Sequence, residues 1–186
     1  MRILYWIIAL LFVLAPPAVY FTLELIQPRI FALGLMVIFL IRSLSSWKKI
    51  DHVVAFAIWL VLMVTALAVI ALSNRVTALL LYPVVMNAGF LLLFLYSLLV
   101  PPSVIESIAR VYDPDLSESG VRYTRKVTMV WCVFFIVNGG IAAWTVWGDP
   151  GLWALYNGLI AYIMMGLLMV SEYWVRRKVR KAIEDE

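Results

Sequence analysis

Hydrophobic residues run through this chain in long uninterrupted blocks. They show neither the three-to-four-residue rhythm of a half-buried surface helix nor the alternation of a half-buried strand. Six blocks stand out, at about Ile3–Leu25, Ile30–Leu44, Val53–Leu72, Val76–Val100, Val127–Trp147 and Leu152–Tyr173. A helix needs about 20 residues to cross a hydrocarbon core of roughly 30 Å, and four of the six reach that length comfortably. Lipid offers backbone amides and carbonyls no partner, so blocks of this kind are expected as helices. Runs such as "FLLLFLYSLLV" lack the dyad pattern of a barrel strand. The predicted fold class is all-α. It is a single polytopic transmembrane domain over 1–186 with six membrane helices, a polar loop at 101–126 and a basic tail at 174–186.

Two blocks need comment. Pro16-Pro17 remove two amide donors inside the first and predict a kink there. The second has only 15 residues, and reaches spanning length by extending to Trp47 while the Arg42 guanidinium snorkels toward the headgroups. Losing either would leave five spans and move the N-terminus to the other side. The opening "MRILYWIIALLFVLAPPAVY" resembles a signal peptide, but its apolar run continues to Ile26 without a polar cleavage region, so an uncleaved first helix is expected.

Composition strengthens the membrane reading. Of 186 residues, 65% are hydrophobic and 14% charged, against about 45–50% and about 25% in soluble domains. Mean hydropathy is +1.00. Charge then sets orientation. Six spans put Arg2, Arg42, Lys48, Lys49, Arg110, Arg122, Arg125, Lys126, Arg176, Arg177, Lys178, Arg180 and Lys181 on one side, and Arg29 and Arg75 on the other. The positive-inside rule assigns the crowded side to the cytoplasm, with both termini and the polar loop.

Within the loop, "PPSVIESIARVYDPDLSESGVRYTRKV", Ser103 and Glu106 have capping-box spacing and predict a short helix. Ile105, Ile108, Ala109 and Tyr112 would share its apolar face, with Glu106, Ser107, Arg110 and Asp113 opposite. Such a helix is expected to lie in the cytoplasmic interface, its Glu106 and Arg110 paired at i,i+4. The loop reads either as a plain connector or as a docking surface. Asp113, Asp115 and Glu118 have no spacing that specifies a metal site. The tail "RRKVRKAIEDE" attracts anionic lipid headgroups. It reads as a topology anchor or as a basic docking patch.

Reactive groups are sparse. One cysteine, Cys132, gives no disulfide or zinc arrangement, and one histidine, His52, sits beside Asp51 without a positioned nucleophile. No phosphate-cradling glycine loop and no HxxxxD acyltransferase signature occurs. The sequence therefore names no catalytic, cofactor-binding or metal-binding residue, implies no cofactor and points to no nucleic acid. Glu24, Arg42 and Glu172 all lie near block ends, which speaks against an ion-coupled relay.

The uncommon groups inside the blocks are amides. Asn87 and Asn138 lie near the centres of the fourth and fifth at similar depth, and are expected to bond across neighbouring helices. Asn157, beside Tyr156, lies nearer the outer surface. "NGG" at 138–140 and Ala154-x-x-x-Gly158 favour close helix approach. Two readings of Asn87, Asn138, Tyr156 and Asn157 stay open: polar helix packing, or a pocket for the head of a lipid-like ligand.

The segments "YPVVMNAGFLLLF", "PPSVIESIAR", "DPDLSESGVRYTRKVTMVWCVFFIVNGGIAA" and "WALYNGLIAYIMMGLLMVSEYWVRRKVR" carry a resemblance. Over roughly residues 80 to 180 the chain resembles an uncharacterised family of bacterial multi-pass inner-membrane proteins. Members of that family are encoded near genes for aryl-polyene pigments and related acyl-carrier-dependent lipid synthesis. The first 75 residues resemble it mainly in hydropathy. The resemblance brings no reaction and no catalytic residue, and the gyrase-subunit and ketosynthase labels given to some members find no matching domain or site here. It implies an accessory protein that holds acyl carrier protein or acyl-chain enzymes at the bilayer, with Arg122, Arg125, Lys126, Arg176, Arg177 and Lys178 as docking residues. The alternative is a small transporter or flippase for a lipid-like product.

Overall fold

Long apolar runs in this chain end where proline, asparagine or a capping serine interrupts them, and the architecture follows those interruptions. The structure, a computed structural model, describes residues 27–46 and 53–184. The expected first span at 3–25, with Pro16-Pro17, lies outside the described residues, as do Lys48, Lys49, Asp51 and His52. Among the described residues there is no strand. The helices are α1 (Pro28–Ser46), α2 (Val53–Ser73), α3 (Val76–Leu80), α4 (Tyr82–Leu99), α5 (Val104–Arg110), α6 (Glu118–Thr145), α7 (Pro150–Leu155) and α8 (Ala161–Glu184), with one π-helical turn at Tyr156–Ile160.

Among the described residues, three helical stretches are long and apolar enough to cross a membrane: Val76–Leu99, Glu118–Thr145 and Pro150–Arg176. The described residues are thus all-helical, with the long apolar helices of a membrane protein. Shorter apolar helical runs occupy Pro28–Ile38 and Leu60–Ser73. Boundaries differ from expectation in the polar loop. Helix α6 starts at Glu118 rather than near 127, because Ser117 caps it through a bond from the Gly120 amide (3.2 Å).

Successive long helices run antiparallel, which sorts the charges by end. At one end Asn74, in the left-handed region at φ 48°, terminates α2. Its side chain accepts from the Arg29 amide at 3.1 Å, while the Arg29 Nε donates to the Ala71 carbonyl at 3.2 Å. Arg75 follows directly. At the opposite end the Tyr123 hydroxyl of α6 donates to the Glu172 carbonyl of α8 at 3.3 Å. Arg122, Arg125, Lys126 and Arg176 therefore share that end.

The closest helix pair is α4 with α6. An aromatic cluster fills its lower half: Phe90 stacks on Phe135 with ring centroids 5.5 Å apart, Phe94 meets Phe135 edge-on at 5.1 Å, and Trp131 meets Phe134 edge-on at 5.6 Å. Burial of such rings and their edge contacts is the main packing force available here. Cys132 is buried in the same cluster. A second core joins α1, α2 and α3 to Tyr82, Val146 and Trp153. Helix α8 stands apart. Only 17% of the most apolar window in its stretch is buried, against 50% for α6, so most of it faces outward.

Helix α5 corrects one expectation. Its capping box is present, with the Glu106 amide donating to Ser103 Oγ (3.3 Å) and the Ser103 amide to Glu106 Oε2 (3.4 Å). Arg110 pairs with Glu106 at 2.9 Å. Glu106, expected on the outer face, is buried, while Ile108, Val111 and Tyr112 point outward. The reason is tertiary: α5 packs on α6 in a rotation that turns Glu106 and Ala109 inward.

Candidate functional site

Proline starts the site. Pro83 lacks an amide donor, so the apolar stretch breaks at Leu81 and restarts as α4 with Pro83 in its first turn. Side chains satisfy carbonyls on both sides of the break, one from another helix and one from within α4. Trp153 Nε1 of α7 donates to the Leu80 carbonyl at 3.0 Å, and Asn87 Nδ2 donates to the Pro83 carbonyl at 2.8 Å. Trp153 is among the most deeply buried large side chains.

From Asn87 a hydrogen-bonded chain crosses three helices. Asn138 Nδ2 of α6 donates to Asn87 Oδ1 at 2.9 Å, and the Tyr156 hydroxyl donates to Asn138 Oδ1 at 2.9 Å. Asn157 turns the other way, its Nδ2 donating to Thr145 Oγ1 (3.1 Å) and to the Trp153 carbonyl (3.0 Å). Thr145 in turn donates to the Ala142 carbonyl at 2.8 Å. All of these side chains are buried.

The π-helical turn makes the last two bonds compatible. In a regular helix adjacent residues diverge by about 100°, so Tyr156 and Asn157 would face different neighbours. Asn157 also donates to the Trp153 carbonyl four residues back on its own helix. Within the widened turn both residues are buried toward α6. Such turns are frequent at functional sites. Gly139 provides the matching close approach, since a Cβ there would lie 3.0 Å from Asn87 Cβ. Gly140 has nothing within 4 Å, so only one glycine of "NGG" serves the contact.

Beside this chain lies a cavity of about 220 Å³ between α4, α6 and α8. Asn87, Asn138, Asn157 and Tyr162 line it together with Met86, Phe90, Phe135 and Met165. A second cavity of about 180 Å³ lies between α5, α6 and α8.

No family model, curated protein or solved structure matches this chain. Function must therefore be read from the geometry.

Asn87, Asn138 and Tyr156 form one hydrogen-bonded unit and Asn157 a neighbouring one. Sequence reasoning missed Thr145, Trp153 and the Pro83 carbonyl. The signal was present in Pro83 within an apolar run and in "DPGLW", where Asp149 caps α7 by accepting from the Gly151 and Leu152 amides at 2.8 and 3.2 Å. The docking candidates are dispersed along one end. Arg122, Arg125, Lys126 and Arg176 are exposed, with Arg122 3.6 Å from Glu118. Arg177 and Lys178 continue the α8 backbone, their side chains lying outside the described residues. Asp113, Asp115 and Glu118 are exposed, and no group of three or more His, Cys, Asp or Glu side chains converges among the described residues. Neutral amides and a tyrosine hydroxyl can orient helices or bind a neutral polar group.

Proposed function

We propose that this chain is a six-span protein of the bacterial inner membrane, with both termini in the cytoplasm. It serves there as an accessory or scaffold protein for acyl-chain lipid synthesis of the aryl-polyene type. The observation that carries this reading is the order in segment 101–126. A slack connector would need no cap, yet Ser103, Glu106 and Arg110 close a bonded unit that packs α5 on α6. The exposed Ile108, Val111 and Tyr112 then sit at the end that also carries exposed Arg122, Arg125 and Lys126. An apolar edge beside cations suits the membrane surface together with an acidic partner. Acyl carrier protein has that acidic character, and the family resemblance supplies the pathway. Grouping of Arg29 and Arg75 at the opposite end supports the orientation.

Crosslinking in native membranes from photoreactive residues at Tyr112 and Arg122 tests it. Capture of acyl carrier protein or an acyl-chain enzyme is expected, and recovery of no pathway protein rejects the scaffold. The cavity beside Asn87 and Asn138 favours a second reading, a small transporter or flippase for a lipid-like product. Deletion separates the two. Finished product held on the inner leaflet indicates transport, whereas intermediates that never reach the membrane enzymes indicate scaffolding.

A further inference from the structure

Two irregularities in the membrane helices border the same cavity, the space of about 220 Å³ beside Asn87. Tyr82 and Pro83 line it from the break between α3 and α4, and Asn157 lines it from the π-helical turn. Ala161, which follows that turn, lines it too. Irregular backbone at membrane depth is tolerated where protein buries it or where it lines a cavity, and transporters place substrate sites at discontinuous helices. Volume limits the occupant. The cavity exceeds the roughly 150 Å³ that encloses one benzene ring and falls short of the roughly 300 Å³ of a drug-sized pocket. It therefore takes a single ring with small substituents.

Charge and hydrogen-bonding capacity define that ring. Among the described residues the lining holds no Asp, Glu, Lys, Arg or His. An ion without a counter-charge is costly in such a place, so the ligand is neutral. Phe90 and Phe135, stacked with centroids 5.5 Å apart, both border the cavity and favour a further flat ring in offset or edge contact. Asn157 Nδ2 uses its two hydrogens on Thr145 and the Trp153 carbonyl, while no described residue donates to its oxygen. Asn87 and Asn138 each give one amide hydrogen within the buried chain and keep a second. All three side chains belong to residues of 9% exposure or less. One hydroxyl, with one hydrogen and two lone pairs, complements that set, whereas a quinone carbonyl only accepts. A phenol is also neutral at pH 7, its pKa being about 10. We infer that the cavity between α4, α6 and α8 binds a neutral phenol ring, its hydroxyl held among the Asn87, Asn138 and Asn157 amides and its ring against Phe90 and Phe135. The inference needs neither the scaffold nor transport, and goes beyond both in naming a ligand class.

Photolabelling of the full chain in nanodiscs with 4-azidophenol tests it, the labelled residues being mapped by mass spectrometry. Labelling at Met86, Phe135 or Met165 is expected to exceed that at the outward Leu92, Val133 and Leu167. p-Cresol should compete about tenfold better than toluene, which fills the same space without a hydroxyl. It should also compete better than duroquinone, which cannot donate. Asn157→Leu should cut labelling about tenfold. Met165→Phe narrows the cavity, leaves the amides in place and should cut labelling several-fold, while Val133→Ala should leave it unchanged. Labelling no higher in the cavity than at the outward residues would show a space that holds only water. Equal competition by toluene would show an unselective apolar hole, and equal competition by duroquinone a site for acceptors. Parent-level labelling in Met165→Phe would place the probe elsewhere. Each of these four results overturns the inference.

Discussion

Asn87 is the residue on which the interior polar chain turns. It donates to the Pro83 carbonyl of its own helix and accepts from Asn138 of the next. Its Cβ also touches the surface that Gly139 leaves bare. Replacing it by leucine keeps bulk but removes both bonds, and leaves the Asn138 amide facing a methyl group. Interhelical bonds of this kind average about 0.6 kcal/mol and reach about 1.7. Asn87→Leu should therefore lower stability by about 1 kcal/mol, read from the detergent-unfolding midpoint. An unchanged midpoint would mean that the amides do not hold these helices together. Lost assembly with unaltered ligand response would remove the pocket reading of the same residues.

Helix α5 gains its order from its ends. With seven residues it is too short to persist alone in water. The Ser103–Glu106 box supplies two of the missing amide partners at its start. Ser103→Ala should cost about 1 kcal/mol, seen as faster hydrogen exchange at 104–107 while the buried middle of α6 stays protected. Exchange as slow as in the parent chain would show that packing on α6, not the cap, orders the segment. The π-helical turn at Tyr156–Ile160 is the other element whose local geometry serves the packing. Its reward is that two adjacent residues both reach α6.

The whole molecule is arranged by the antiparallel order of its long helices, which collects cations at the end shared by Tyr123 and Glu172. The six-span reading predicts the same compartment for a tag before Met1 and a reporter after Glu186. A reporter inserted after Asn74 should be active on the opposite face. Termini found on opposite faces would reduce the count to five. A periplasmic signal after Glu186 would reverse the map and remove α5 from the cytoplasm.

Much of this was written in the sequence. Apolar blocks of spanning length demand helices because lipid satisfies no backbone group, and Ser103, Glu106 and Arg110 announce α5 through spacing alone. Local patterns of this sort involve neighbours within one turn, so a string of residues reveals them. The partners of Asn87, Asn157 and Trp153 lie 51, 12 and 73 positions away. Spacing carries no information about such contacts, because helix rotation and separation decide them. The same packing turned Glu106 inward and left cavities beside α8. The sequence by itself determined which of the described stretches form long apolar helices; only helix-on-helix packing decided which faces meet and where space remains between them.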